Sequence, residues 1–327
     1  MKEIDGKTRV CGLIGNPVEH TLSPTIHNTL AEKRGHNLVY VPFLVQKGQI
    51  AEAVAGAQAL NILGLNVTVP YKSEVISCLQ EIDPLAGQIG AVNTLVRVAG
   101  GYKGYNTDME GLYRAMLAEN IRIEGEEIIL LGAGGAARAV AFLCAAKGAK
   151  RVYLLNRTVD KARTVADEVN KATGREIISP MQLQDYRKIP DGKYLAIQGT
   201  SVGLSPHDDE VVIEDLEFYQ KVHTGFDLIY SPWETKFMRL VRETGGQAYN
   251  GLKMLLYQGV IAYELWNQIE VSEKEASEVY DRLKKAFRTG LMGVETKDEQ
   301  CNSDRLYGMR QKYSRTQTVL SSQAARD

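Results

Sequence analysis

The segment Gly132-Ala133-Gly134-Gly135-Ala136-Ala137 constrains this chain more than any other, because it stands between a short apolar run, Ile128 to Leu131, and an alanine-rich stretch reaching Ala146. That order is strand, tight turn, helix. The first two glycines permit the turn and let backbone N–H groups approach a pyrophosphate at the helix N-terminus, and a small third residue lets helix and strand pack closely. A tight turn in an ordinary strand-to-helix connection satisfies the same pattern, so the flanking residues matter. A second apolar run, Arg151 to Leu155, arrives at the spacing of a βαβ unit and is followed by Asn156-Arg157-Thr158. An acid at that place binds the ribose hydroxyls of NAD and repels a 2′-phosphate, whereas a neutral residue followed by arginine favours NADP. About 130 residues precede the turn, a domain's length of sequence in which the chemistry is expected.

A chain of 327 residues, 44% apolar and 24% charged, has the size and composition of a two-domain soluble protein. Its net charge of −1 gives no electrostatic case for nucleic acid or an anionic membrane as partner. Cys11, Cys78, Cys144 and Cys301 are widely spaced, and His20 and His27 have no Cys or Glu at ligand spacing, so neither a disulfide framework nor a metal site is expected. A charged N-terminus without a long apolar core argues against a signal peptide and for a cytoplasmic protein. The hydrophobic stretch from Ile128 to Ala146 contains Arg138 and the glycines of the turn, which fits strand, turn and helix rather than a membrane span.

The expected fold is α/β, with two α/β domains and C-terminal helices packing back on the first. Strand-like runs at Arg9 to Ile14, Leu38 to Val45 and Gly64 to Val69 alternate with helical stretches over residues 1–110. Ser23 is read as the N-cap of a helix over Thr25 to Arg34, with Pro24 in its first turn and Gly35 as its stop. A helical run at Leu112 to Ala118 leads into a doubly wound cofactor domain over 111–246, with further strands near Leu195 to Gln198 and Phe226 to Ile229. Helices from Leu252 through Glu270 and from Glu273 to about Phe287, the latter capped by Ser272, complete the substrate domain over 247–289. Residues 290–327 lose periodicity and read as a flexible tail.

Several segments could carry chemistry. Asn66-Val67-Thr68-Val69-Pro70-Tyr71-Lys72 is a strand ending in a proline break, and ligands of open α/β sheets bind at such carboxyl ends, although a lysine on a solvated loop reads the same locally. Tyr105-Asn106-Thr107-Asp108 ends a short strand and precedes a helix that Thr107 or Asp108 could cap. His20-Thr21-Leu22-Ser23-Pro24 places hydroxyls at alternate positions before a helix, where free N–H groups and the dipole favour an anion, and where Ser23 could equally be a plain cap. Asn93 and Gln258 are polar residues in apolar surroundings and need hydrogen-bond partners, from a polyhydroxylated ligand or from backbone.

Taken together, HTLSPTIHN at 20–28, NVTVPYK at 66–72, AVNT at 91–94, YNTD at 105–108, GAGGAARA at 132–139, NRT at 156–158, DLIYSPWET at 227–235 and GLKMLLYQG at 251–259 occur in the order found in the shikimate dehydrogenase family. The chain resembles that family over about residues 8 to 288. The resemblance implies an NADPH-dependent reduction of 3-dehydroshikimate to shikimate, in the route to chorismate and the aromatic amino acids, by a monomer or homodimer. It implies that Thr21 and Ser23 hold the substrate carboxylate and that Asn66, Thr68, Asn93, Asp108 and Gln258 bind its hydroxyls. Lys72, beside Asp108, is the implied acid/base residue. Gly132, Gly134 and Gly135 would face the pyrophosphate; Asn156, Arg157, Thr158 and Lys161 would surround the 2′-phosphate; Thr200 and Gly203 would lie near the nicotinamide; and Ala133, Ala136 and Gly251 would also bind the cofactor. The chain departs from the family's usual residues at Thr21 (often Ser), Met109 (commonly Gly) and Gln198-Gly199 (usually an Asn-containing turn). Two other readings use the same residues: a quinate or dual quinate/shikimate dehydrogenase, against which Arg157 argues, and a non-catalytic sensor of metabolite and nucleotide, against which the joint presence of Lys72 and Asp108 argues.

Overall fold

The computed structural model describes residues 4–289; the expected tail lies outside the described residues. Residues up to Tyr280 belong to one compact unit, and residues 281–289 are helical.

Two six-stranded sheets organise the larger unit. The first contains β1 (Arg9–Gly15), β2 (Leu38–Leu44), β3 (Gly64–Val67), β4 (Glu81–Ile82), β5 (Thr94–Val98) and β6 (Gly101–Tyr105), in the order β2-β1-β3-β5-β6-β4. β1 runs parallel to β2 and β3, while β3 pairs antiparallel with β5 and β5 with β6. The regular alternation read from sequence therefore gives way to a hairpin on one side, because Gly100 with φ +83° provides the tight turn between β5 and β6. Leu65, Val67, Tyr71, Val75, Val92 and Leu95 fill the core on one face.

The second sheet contains β7 (Glu127–Leu131), β8 (Arg151–Asn156), β9 (Ile178–Gln182), β10 (Tyr194–Gln198), β11 (Val222–Asp227) and β12 (Gln247–Tyr249). All its pairings are parallel, and the order β12-β11-β10-β7-β8-β9 reverses between β7 and β10. That reversal is the topological switch point at which doubly wound sheets bind nucleotides. β9 and β12 have little apolar alternation, and sequence alone did not suggest them. Ile128 through Leu131 are fully buried, as expected of a central parallel strand covered on both faces, each such side chain contributing roughly 1.5–3 kcal/mol.

Helices α1 (Ser23–Arg34), α2 (Ile50–Ala59), α3 (Pro84–Ile89) and α4 (Asp108–Leu117) accompany the first sheet; α5 (Gly135–Ala146), α6 (Val159–Thr173), α7 (Leu216–Gln220) and α8 (Lys236–Glu243) accompany the second. α9 (Leu252–Asn267) packs against α4, α1 and β5 of the first sheet. Gly111 makes the α4–α9 approach possible, since a Cβ there would lie 2.6 Å from the Gln258 backbone nitrogen. Trp266 Nε1 fastens the far end of α9 by donating to the Leu95 carbonyl at 2.9 Å. Ser272 caps the helical run that begins at residue 273, its Oγ accepting from Glu275 N at 3.4 Å.

At the outer edge of the first sheet, Asn28 on α1 acts as a strand substitute for β2. Its Oδ1 accepts from Tyr40 N at 2.9 Å and its Nδ2 donates to Tyr40 O at 3.0 Å. Between the two sheets, Arg138 on α5 reaches the carboxyl end of α3: it donates to the carbonyls of Ile89 and, at 3.0 Å, Gln88.

Candidate active site

The carboxyl ends of β1 and β3, the start of α1 and the first turns of α4 and α9 enclose a cavity of about 350 Å³. Thr21, Ser23, Asn66, Thr68, Lys72, Asn93, Asp108 and Gln258, gathered from separate sequence segments, all line it. Gly251 lines it as well.

Lys72 and Asp108 meet directly, Nζ to Oδ2 at 2.7 Å. The Lys72 side chain is 34% exposed and that of Asp108 20%, so the pair is reachable from the cavity without being fully solvated. Backbone contacts fix both ends. Lys72 O accepts from Val92 N at 2.8 Å, and Asp108 opens α4 with its N–H donated to Asn106 Oδ1 at 3.1 Å. The cap expected from Thr107 or Asp108 is thus supplied by Asn106, which also takes Met109 N and leaves the Asp108 carboxylate free to face the lysine. Thr107 is engaged elsewhere, with Asn93 and Thr94.

Ser23 likewise is not the N-cap expected of it. It is the first residue of α1, after Leu22, and makes no capping bond. Thr21 instead accepts from Ser23 N at 3.2 Å, which leaves the Thr21 hydroxyl proton available to an acceptor beside the helix N-terminus, where an anion is favoured. Gln258 donates to Leu255 O at 2.8 Å, which fixes its amide and leaves the oxygen and the second Nε2 hydrogen to the cavity.

The glycine turn lies at the switch point. Gly132 has φ +106°, and a Cβ there would meet Thr200 Cγ2 at 2.6 Å. Beyond it the turn opens: nothing lies within 4 Å of a Cβ built on Gly134 or Gly135. Gly134 precedes α5 without any side-chain cap, so the first N–H groups of α5 face an open cradle with room for a diphosphate. Asn156 shapes the next turn by donating to Thr158 O at 2.9 Å. Arg157, Thr158 and Lys161 surround it, with Arg157 and Lys161 exposed, and the acid in the first turn of α6, Asp160, pairs with Arg163. This donor set fits a dinucleotide carrying a 2′-phosphate. Across the switch point, buried Gln198 organises the facing loop: its Oε1 accepts from Thr200 N at 2.7 Å and Thr200 Oγ1 at 2.8 Å, while its Nε2 donates to Val202 O at 3.0 Å.

Residues 13–95 match the family model described as the shikimate dehydrogenase substrate binding domain, and residues 116–189 match that of shikimate / quinate 5-dehydrogenase. A shikimate dehydrogenase (NADP(+)) of Desulforamulus reducens is 43% identical over 80% of this chain and 91% of its own length. The chain belongs to the shikimate dehydrogenase family. The crystal structure of the Thermus thermophilus shikimate 5-dehydrogenase in complex with NADP(H) and shikimate superposes with a TM-score of 0.74, at 30% identity over 85% of this chain and 100% of that one. A quinate dehydrogenase from Corynebacterium glutamicum in complex with NAD also superposes, with a TM-score of 0.76, at 26% identity over 85% of this chain and 99% of that one.

Among the chain's departures from usual shikimate dehydrogenase residues, Gln198 has a visible use in shaping the Thr200–Val202 turn, and Met109 is buried on α4. Sequence reasoning missed Leu13, Val18, Leu228, Tyr230, Met254 and Leu255, which also line the cavity. The signal for Tyr230 was present in the DLIYSPWET segment, whereas the apolar residues read as ordinary core. Burial raises the Tyr230 hydroxyl above the usual phenol range, so it stays a neutral phenol at the cavity wall. Among the described residues no group of three or more His, Cys, Asp or Glu side chains is placed to hold a metal ion, and no helix is long and apolar enough to cross a membrane.

Proposed function

We infer that this chain catalyses the reversible NADPH-dependent reduction of 3-dehydroshikimate to shikimate. The observation that carries the reading is the Lys72–Asp108 pair, 2.7 Å apart and facing a cavity lined by the remaining candidate substrate residues. NADPH, when bound along Gly132 to Ala136 with Arg157, Thr158 and Lys161 around its 2′-phosphate, supplies the hydride. The chain's own residues do the rest. Thr21 and Ser23, at the start of α1, anchor the carboxylate and fix which ring face is presented; Asn66, Thr68, Asn93, Asp108 and Gln258 hold the hydroxyls. Lys72, as the ammonium, gives a proton from Nζ to the carbonyl oxygen as it becomes a hydroxyl, with Asp108 keeping Nζ in place. In the oxidative direction neutral Lys72 accepts the same proton. Thr200, Gly203 and Gly251 border the place where ring and nicotinamide meet.

On this reading 1–110 and 247–289 form the substrate domain and 111–246 the cofactor domain. The near-neutral charge argues against nucleic acid as a partner; the reading of a cytoplasmic monomer or homodimer rests on the unpaired cysteines among the described residues and on the family resemblance. Thr21 favours a second reading, quinate as an additional substrate, because its methyl group alters the wall around the carboxylate anchor. A spectrophotometric scan of NADP and NAD against shikimate and quinate decides: turnover of shikimate with NADP is expected, turnover of quinate alone would replace the substrate, and no turnover with any pair would leave a binding protein.

A further inference from the structure

The HTLSPTIHN segment supplies Thr21 and Ser23 to the cavity, but its last two residues, His27 and Asn28, have no part in the chemistry described above. Both hold one residue. Asn28 bonds both backbone polar groups of Tyr40, N–H and C=O, at 2.9 and 3.0 Å. The His27 ring stacks on the Tyr40 ring with centroids 4.1 Å apart and planes 15° from parallel, and Trp266 leans on the His27 ring at 5.0 Å. Burial pushes the His27 imidazole down to about 3, so this stack is uncharged at any working pH. Tyr40 is 1% exposed and does not line the cavity. Its hydroxyl donates to Asn66 Oδ1 at 2.8 Å.

That bond holds the oxygen end of an amide that does line the cavity. On its other side Asn66 Nδ2 donates to Asn93 O at 3.3 Å and to Thr94 Oγ1 at 3.1 Å. A backbone carbonyl only accepts, so the amide nitrogen must face Asn93 and the oxygen must face Tyr40. Both Nδ2 hydrogens are then engaged, and what Asn66 offers a ligand is the acceptor capacity of Oδ1, which Tyr40 shares with the neighbouring His27 ring. Asn93 is fixed with the opposite sense: its Oδ1 accepts from Thr107 N at 2.7 Å and from the Thr94 and Thr107 hydroxyls at 3.1 and 3.2 Å, leaving its amide nitrogen to the cavity.

We propose that Tyr40 is a positioning residue for the substrate: its phenol proton locks the Asn66 carboxamide as a hydrogen-bond acceptor, opposite Asn93 as a donor, so that the two amides read a substrate hydroxyl from both poles. This rests on the reading of Asn66 as a substrate-binding residue. Without the phenol proton, Asn66 Oδ1 loses its fixed partner, the carboxamide is held through Nδ2 alone and can tilt, and one pole of the recognition is weakened.

Tyr40→Phe keeps the ring and its stack. It is expected to raise KM for shikimate about 5- to 30-fold, the loss of one buried hydrogen-bond partner, with kcat within about threefold and KM for NADP unchanged, as suits a ground-state contact. In an Asn66→Ala background the same change should lose most of its effect, the remainder passing through the Ser23 hydroxyl, which also bonds the phenol. Equal effects of Tyr40→Phe with and without Asn66, or a rise in both KM values together, would overturn the proposal in favour of a general packing role. If Asn66→Ala leaves KM for shikimate unchanged, the substrate-binding reading of Asn66 itself fails, which is a separate result. A neutron structure of the unsubstituted chain tests the polarity without any variant: deuterium on the Asn66 nitrogen aimed at Asn93 O is expected, and a Tyr40 deuterium turned away from Asn66 would refute it.

Discussion

The two faces of the active site are built on opposite plans. On the substrate side, polar atoms are held by other polar atoms: Lys72 by Asp108, Asn66 by Tyr40 and Thr94, Asn93 by Thr107. On the cofactor side the main feature is space, since side chains at Gly134 and Gly135 would project into nothing, and Arg157 and Lys161 stand exposed at its rim. A small polyol is distinguished from its relatives by which pole of each amide meets it, which needs a prebuilt network. A dinucleotide is large and highly charged, and backbone N–H groups, a helix dipole and a few cations suffice. Substitutions on the two sides should therefore fail in different ways.

The largest effect is expected at the proton. Lys72→Ala should lower kcat about 10²- to 10⁴-fold, the usual weight of a general acid/base, with a much smaller change in KM. Thr21→Ala or Ser23→Ala should show the reverse, because a carboxylate anchor is engaged in ground and transition states alike. The Lys72 and Asp108 double variant should be little worse than the poorer single one, since the two act as a unit. Steady-state kinetics on folded variants check all of this, and wild-type kcat with raised KM for Lys72→Ala would demand another proton donor.

Next comes the cofactor rim. Arg157→Ala should weaken NADP by about 1.5 to 3 kcal/mol, the range of a charge-assisted hydrogen bond, while leaving NAD nearly unaffected. Titrations with both nucleotides measure it, and equal losses would remove the 2′-phosphate role.

Gly134→Val then tests the reading of open space. Among the described residues nothing lies within 4 Å of a Cβ at this position, so the thermal midpoint should hardly move while KM for NADP rises roughly tenfold from the filled cradle. A large fall in midpoint with unaltered KM would show that the turn is there for the fold alone.

The effect smallest on turnover concerns Asp227, below the loop that brings Leu228 and Tyr230 to the cavity. Its carboxylate accepts from Ile229 N at 2.9 Å and Thr235 Oγ1 at 2.7 Å, yet burial raises its pKa from 3.8 to about 7. The folded state therefore holds the proton more tightly than the unfolded chain, and the protein loses stability as pH rises between those values. Asp227→Asn should remove that slope, its advantage over the parent growing from near zero at about pH 4 to as much as about 4 kcal/mol by about pH 8. Thermal midpoints across this range give the sign, and a variant that falls behind the parent with rising pH would mean the charge is favoured where it sits.

Sequence made the second sheet easier to read than the first. The fully buried run of β7, its glycine turn and the alanine-rich α5 each carry a local pattern, and β8 follows at the spacing that the helix between them requires. The hairpin of β5 and β6 interrupts the first sheet's alternation through a single positive-φ glycine, which has no period to detect. The site itself was legible as motifs, because Lys72, Asp108 and the amides stand in polar segments at element ends. Tyr40 was not, since a tyrosine alternating with apolar residues along a strand looks like core, and its partner Asn66 lies in another strand. The two capping assignments failed for a similar reason: Ser23 and Thr107 are suitable caps by type, but the neighbouring Thr21 and Asn106 make the bonds.

Asn28 has a consequence outside catalysis. β2 is the outer strand of the first sheet, and an outer strand exposes a ladder of unpaired N–H and C=O groups on which another chain can add a strand. On β2 the rung at Tyr40 is already taken by the Asn28 carboxamide, and two residues on stands Pro42, which has no N–H to give. A neighbouring molecule approaching edge to edge would meet two dead rungs in succession. The same amide that steadies a tyrosine behind the substrate pocket thus also blocks strand addition at this stretch of β2.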